Sequence, residues 1–305
     1  MTKSSRQAGQ SCLHTHTTFC DGATDVETMC KAAFEKGFSS IGFSSHAPLE
    51  KKTGLDTVWH LKDAKLNEYI DTVEKAKKQW QGKLAVFLGL EVDYIKGLIG
   101  PGDADIQALP LDYIIGSVHY LFSPKDDSPF NIDTWPEDFN TVIELFDNDG
   151  KAFCKAYYDA YNSMIAGGGF DILGHLDLIK KNNERYGFFS CGDNWYKEHL
   201  VNTADLITGV RNKAKKTGER LPVVEVNTGA MLRGYISEPY PSSYMMKLLA
   251  ERQIPLVLNA DAHSPDHLGG CYETAEEMMK QAGHSTMVFF EGREDGKAVW
   301  RTLAL

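Results

Sequence analysis

Short apolar runs alternate with longer amphipathic stretches along almost the whole chain. Seven runs have the length and apolar content of strands: CLHTH from Cys12, SIGFSS from Ser40, LAVFLGLEV from Leu84, DYIIGSVH from Asp112, FDILGH from Phe170, PVVEVN from Pro222 and PLVLNADAH from Pro255. Helical patterns fill the gaps. VETMCKAAFEKG is expected to open on a capping box of Thr24 and Glu27 and to stop at Gly37. Further amphipathic runs lie near residues 63–80, 138–166, 193–217, 242–252 and 273–282. Gly167, Gly168 and Gly169 read as a helix end, because no lysine or capped helix follows to make a phosphate cradle.

Strand and helix in strict alternation predict a parallel sheet with crossover helices. The series is unbroken by any linker or repeat, which favours one closed α/β barrel over two domains. Residues 1–305 are therefore expected to form a single domain, with a motif-bearing core at about 11–270 and a C-terminal extension at about 271–305. The last segment, TMVFFEGREDGKAVWRTLAL, reads as a strand and an amphipathic end piece with no assigned place. Three connections after strands are long and polar, starting at Ser123, Lys180 and Gly229. Loops of that length in a compact domain tend to carry function.

Composition narrows the function. With 42 % hydrophobic and 24 % charged residues the chain is an ordinary folded protein. A net charge of −10 opposes binding to a polyphosphate backbone, so no nucleic-acid partner is expected, while small cationic substrates are easily reconciled. MTKSSRQAGQSC has no apolar leader core, and no run approaches the ~20 apolar residues of a membrane span, so a cytoplasmic location without membrane contact is the expectation. The six cysteines form no C-x-x-C pair and are read as reduced thiols.

The chemistry lies where the strand runs end. They finish on His14 and His16, His46, Glu91, His119, His175, Glu225 with Asn227, and Asp261 with His263. In a barrel these ends converge on one face. His14 and His16 are two apart on a strand, as are Asp261 and His263, so each pair projects to one side and can chelate an ion. Imidazole and carboxylate suit zinc, iron or manganese, and Glu91 can bridge two ions. Two or three metals are implied. Singly, His119 or His175 would read as an ordinary buried histidine and His-x-His as a strand pair; the joint pattern carries the metal reading. His60, His199, His267 and His284 follow no strand end and are assigned to packing.

LHTHTTFCDG, SSH at 44–46, GLEVDY, GSVHY, DILGHLD, EVNTGAMLRGYISEPYPS and LNADAHSPDHLG together resemble the PHP superfamily, specifically its histidinol-phosphatase branch. The likeness runs in order from about residue 11 to 270. It implies a distorted (β/α)7 barrel, three metals and hydrolysis of L-histidinol phosphate by a metal-bridging hydroxide. It places His14, His16, Glu91 and Asp261 at a first metal, Glu91, His119 and His175 at a second, and Asp21, His46 and His263 at a third. Asp21 departs from the pattern, since many members carry a histidine there. Glu91, Asp261 and His263 are the expected catalytic groups, with Asp261 and His263 both open as the acid for the leaving group.

Arg233, in the loop after the sixth run, is the expected phosphate ligand, because guanidinium matches phosphate oxygens bidentately and the resemblance implies an arginine in this loop. Arg185 is a second candidate, and Tyr120, Glu238 and Tyr240 are candidates for the rest of the substrate. Rival readings are a PHP phosphoesterase acting on a phosphotyrosine peptide or nucleotide, an amidohydrolase-type barrel, and a non-catalytic metal-binding domain. Glu91 stands where amidohydrolases usually bridge their metals with a lysine, and no ligand is missing.

Overall fold

The computed structural model describes residues 10–55 and 57–305. The first nine residues, read above as lacking a leader, lie outside the described residues. The strands are β1 (Ser11–Cys12), β2 (Ser40–Phe43), β3 (Ala85–Asp93), β4 (Tyr113–Ser117), β5 (Tyr120–Phe122), β6 (Pro129–Asn131), β7 (Ile172–Leu173), β8 (Val223–Asn227), β9 (Leu256–Asn259), β10 (Thr286–Glu294) and β11 (Lys297–Ala304). Seven of them pair in the order β1-β2-β3-β4-β7-β8-β9, parallel throughout, and these are the seven runs of the sequence. Beyond their formal ends β1 and β9 meet through a parallel bridge of Thr15 and Ala262, with His16 N donating to Ala262 O at 2.8 Å and Ala262 N to His14 O at 2.9 Å. The sheet therefore curls into a nearly closed barrel with its helices outside.

Inward-facing side chains change character along the barrel axis. Tyr113, Ile115, Ile172, Val223 and Val257 fill the N-terminal end. The Tyr113 ring fits because Gly42 and Gly89 face it, where any Cβ would collide with the ring. Its hydroxyl donates to Leu13 O. Two residues further along the same strands stand polar groups, Ser117, Glu225 and Asn259, all fully buried.

The C-terminal segment is not a strand and an amphipathic end piece but an antiparallel hairpin of β10 and β11, turning at Asp295 and Gly296. Phe290, fully buried, joins the cluster at the N-terminal end of the barrel, and Val288, Ala298 and Trp300 pack beside it. Arg293 anchors the hairpin by donating to Asp112 O at 2.7 Å and pairing with Asp171 at 3.1 Å. The hairpin closes the barrel floor.

Helix boundaries depart from expectation in two places. The first helix, Val26–Glu35, is capped by Asp25, whose carboxylate accepts from Thr28 N at 2.8 Å, so Thr24 and Glu27 form no capping box. The 138–166 run is two helices, Phe139–Glu144 and Gly150–Gly167, because Asp147 and Asn148 adopt left-handed backbone and Asp149 caps a new start. Gly168, at φ 67°, ends the second.

Candidate metal centre

At the C-terminal mouth the strand ends meet around Glu91. Its Oε2 lies 3.0 Å from His14 Nε2, 3.6 Å from His16 Nε2 and 3.0 Å from His46 Nδ1. Its Oε1 lies 2.8 Å from His175 Nε2 and 3.6 Å from His119 Nε2. Asp261 Oδ1 stands 3.3 Å from His16 Nε2 and 3.8 Å from His14 Nε2. On the outer side Asp21 sits 3.0 Å from His263 Nε2, 3.4 Å from His16 Nδ1 and 3.8 Å from His46 Nε2. Gly22 lets this turn close, since a Cβ there would strike the backbone of His16 and Thr17.

These atoms fit metal ions better than one another. His14 Nε2, His16 Nε2, His46 Nδ1 and Glu91 Oε2 are buried without any hydrogen-bond partner, although they crowd together. A buried polar atom left unpaired costs about 1–3 kcal/mol, and four sharing one point are explained by cations between them. The donors group as His14, His16 and Asp261; His14, Glu91 and His175; His46, Glu91 and His119; and His16, Asp21, His46 and His263, each set within 4.8 Å. Glu91 is common to two groups, as a bridging carboxylate would be. Imidazole and carboxylate at this density suit two to three divalent transition ions.

A second layer holds the ligands. Glu225, fully buried, accepts from His14 Nδ1 at 2.7 Å, His175 N at 2.8 Å and the side-chain amides of Asn227 and Asn259 at 3.1 and 2.9 Å. Ser117 donates to Glu91 Oε1 at 2.6 Å. Asp93 takes His119 Nδ1 and His60 Nε2, both at 2.8 Å. Such contacts fix ring orientation and leave the opposite nitrogen for the metal.

The electrostatics follow. Burial works against the charged form of Glu91, but His14, His46 and His119 outweigh it and hold its pKa well below the usual range. Burial also opposes a proton on His119, yet Asp93 and Glu91 raise its pKa to about 10. His46 goes the other way. Burial, helped by His16 and His60, lowers it to about 3 against the pull of Glu91 and Asp21. Arg233 stays charged, because Asp261 and Asp133 offset its burial.

A cavity of about 640 Å³ opens over this cluster. Asp21, His46, Glu91, His119, His175, Asp261 and His263 line it, with Arg233 from the loop after β8 and Tyr240. Arg233 donates to Asp261 O at 3.2 Å. The other substrate candidates stand apart. Arg185 is exposed over the Tyr186 ring, Tyr120 is buried under Trp59 Nε1, and Glu238 is paired with Lys180 at 2.7 Å. None of the three lines the cavity.

Sequence reasoning leaves out Asp93 and assigns His60 to packing. His60 is buried, lines the cavity and lies 5.2 Å from the His46 ring. Asp93 was within reach, since it follows Glu91 by two on a strand and must face the same way. His60 gives no such signal, coming from an irregular loop. The remaining three behave as packing residues: His199 stacks on Tyr158, His284 contacts Met246 O, and His267 accepts from His263 N.

A parallel barrel whose mouth gathers bridging carboxylate and imidazole donors is a metal-dependent hydrolase in construction. The profile of the PHP domain matches residues 13–211, and the chain belongs to the PHP domain family. It is 30 % identical over 277 residues to a probable histidinol-phosphatase of Deinococcus radiodurans, covering 90 % of this chain and 95 % of that one. It is 30 % identical over 272 residues to the histidinol-phosphatase of Bacillus subtilis, covering 85 % and 96 %. The crystal structure of histidinol phosphate phosphatase from Lactococcus lactis subsp. lactis, complexed with zinc, L-histidinol and phosphate, shares the fold at a TM-score of 0.63 and 16 % identity, covering 95 % of this chain and 99 % of that one.

Proposed function

We propose that this protein is a metal-dependent phosphomonoesterase that hydrolyses L-histidinol phosphate to L-histidinol and phosphate. The observation that carries this reading is the set of unpaired buried donors around Glu91, in a chain that aligns with histidinol-phosphatases over 85 to 90 % of its length. His14, His16, Glu91 and Asp261 would hold the first ion, Glu91, His119 and His175 the second, and Asp21, His46 and His263 the third. When bound, the ions supply Lewis acidity at the phosphoryl oxygens and a hydroxide nucleophile near neutral pH.

The chain's own residues do the rest. Glu225 and Asp93 orient His14 and His119, and Ser117 fixes the Glu91 carboxylate. Arg233 reaches into the cavity and takes phosphate oxygens, neutralising charge that grows as the ester bond breaks. Asp261 or His263, both at the cavity wall, would take the proton released as water becomes hydroxide and pass it to the departing alkoxide. Among the described residues no helix is long and apolar enough to cross a membrane. The acidic net charge of −10 supports a small-molecule substrate over nucleic acid, and we place the enzyme in the cytoplasm.

Phosphate release across a panel of phosphomonoesters, including a phosphotyrosine peptide and a nucleotide, tests the assignment. L-histidinol phosphate should lead in kcat/KM. Arg233→Ala should lower kcat/KM by roughly 10² for every substrate with metal content intact. A nucleotide or phosphopeptide in first place would overturn the substrate assignment, and a near-normal Arg233→Ala enzyme the phosphate contact.

A further inference from the structure

The outer wall of the cavity differs from its floor. The two most exposed of the large hydrophobic side chains among the described residues, Val58 at 85 % and Trp135 at 65 %, both border this cavity. The Trp135 ring stands 6.4 Å from that of Tyr235 at 60°, so the two make an open aromatic corner. Trp135 is not on a loose segment. Its loop is tied down by Asn182 Nδ2 donating to Thr134 O at 3.2 Å and by Ile132 N donating to His119 O at 2.8 Å, which links it to a metal-facing residue.

Two carboxylates also face the opening, and they differ. Asp133 is paired with Lys181 at 2.6 Å, and Lys181 lies over the Tyr235 ring, so this charge is already balanced. Asp138, one turn past Trp135, has no side-chain hydrogen bond or ion pair with any described residue and does not cap its helix. The cavity thus holds an anion-binding inner end with Arg233 and an outer end offering one uncompensated carboxylate and the exposed ring of Trp135. A ligand complementary to both ends has a phosphate at one end and an ammonium next to a flat ring at the other.

We propose that Trp135, Tyr235 and Asp138 form the specificity subsite for the leaving alcohol, its heteroaromatic ring stacking on the open face of Trp135 with Tyr235 closing the corner, and Asp138 taking its ammonium. The subsite rests on the reading of the enzyme as a histidinol-phosphate phosphatase. It replaces Tyr120 and Glu238 as the groups that face the histidinol portion.

Three substrates separate the contributions: L-histidinol phosphate, O-phosphoethanolamine, which keeps the ammonium and lacks the ring, and ethyl phosphate, which lacks both. In the metal-loaded enzyme, Trp135→Ala should reduce the preference for histidinol phosphate over phosphoethanolamine about tenfold, and Trp135→Phe should restore most of it. Asp138→Asn should reduce the preference for phosphoethanolamine over ethyl phosphate by about three- to tenfold, with the loss shrinking at high salt. Metal content should match the parent in all three variants. Ratios unchanged from the parent would overturn the subsite while leaving the phosphatase reading intact. A parent enzyme with no preference for histidinol phosphate would overturn that reading itself.

Discussion

Single residues around Glu91 fall into those proposed to donate to a metal and those that aim the donors, and Asp93 is the clearest of the second kind. It is fully buried and accepts from both His119 and His60, so its loss frees the His119 ring and leaves His60 held only by Thr57. Asp93→Asn, which keeps the volume and removes the charge, should weaken metal binding about 10- to 100-fold. Competition with a chromophoric chelator measures this directly, and an unchanged dissociation constant would show that Asp93 only packs. The protonation pattern gives a second expectation. His119 is raised to about 10 in the folded, metal-free chain, and His14 is also raised, where burial is outweighed by Glu225, Glu91 and Asp261. Raised histidines contribute stability that is complete below their unfolded pKa of about 6.5 and is lost as pH climbs through the folded value. His46, lowered to about 3, acts below 6.5 and stays out of that window. The metal-stripped protein should therefore melt at lower temperature as pH rises from about 6.5 to 10. Metal-loaded protein should be stabilised further by its ions over the first part of that range, because binding requires neutral imidazoles. Melting curves of both forms at matched pH check the sign, and parallel slopes would contradict it.

Among the elements, the seven barrel strands were readable because each carries its own apolar run and ends on an ionisable group. The ladders themselves are shorter than those runs, with β1 and β7 only two residues each. His14, His16, His46, His119, His175 and Asp261 lie just past the paired segments, where the backbone is released toward the mouth. The C-terminal hairpin was not placeable from sequence. Its apolar positions have no periodicity that names their partner, and they make sense only against a floor assembled from five other strands. Helix breaks were likewise hidden, since Asp147 and Asn148 sit inside an otherwise amphipathic run. Phe290 is the plug of that floor. Phe290→Ala should cost about 3–5 kcal/mol of stability by denaturant titration, with the metal complement retained in the folded fraction, because the floor and the mouth are opposite ends of the barrel. A loss under 1 kcal/mol would mean that the hairpin rests on the barrel without closing it.

For the whole molecule, the proposed metal donors span His14 to His263, and the first and last barrel strands meet at the Thr15 and Ala262 bridge. We propose that the chain folds as one unit, since each of the three proposed sites joins donors of the N-terminal half to one from the C-terminal half, Asp261, His175 or His263. The general plan of the proposed centre was legible because six of the seven strand ends carry a candidate donor and the seventh, with Glu225, a group that orients them. The outer cavity was not, because Trp135, Tyr235 and Asp138 come from loops whose approach is set by tertiary contacts and leaves no spacing to read. Under this proposal Glu91 joins two ions, and hydrolysis depends on both. The most direct measurement is a metal titration of stripped protein, with bound ions counted by elemental analysis and phosphate release from L-histidinol phosphate followed on the same samples. Activity should be negligible in the stripped protein and appear as occupancy passes one ion per chain, with at least two bound at full rate. Glu91→Gln should lose both the second ion and the activity. Full activity at one ion per chain or fewer, or a Glu91→Gln enzyme that keeps two ions and its rate, would contradict the bridged centre.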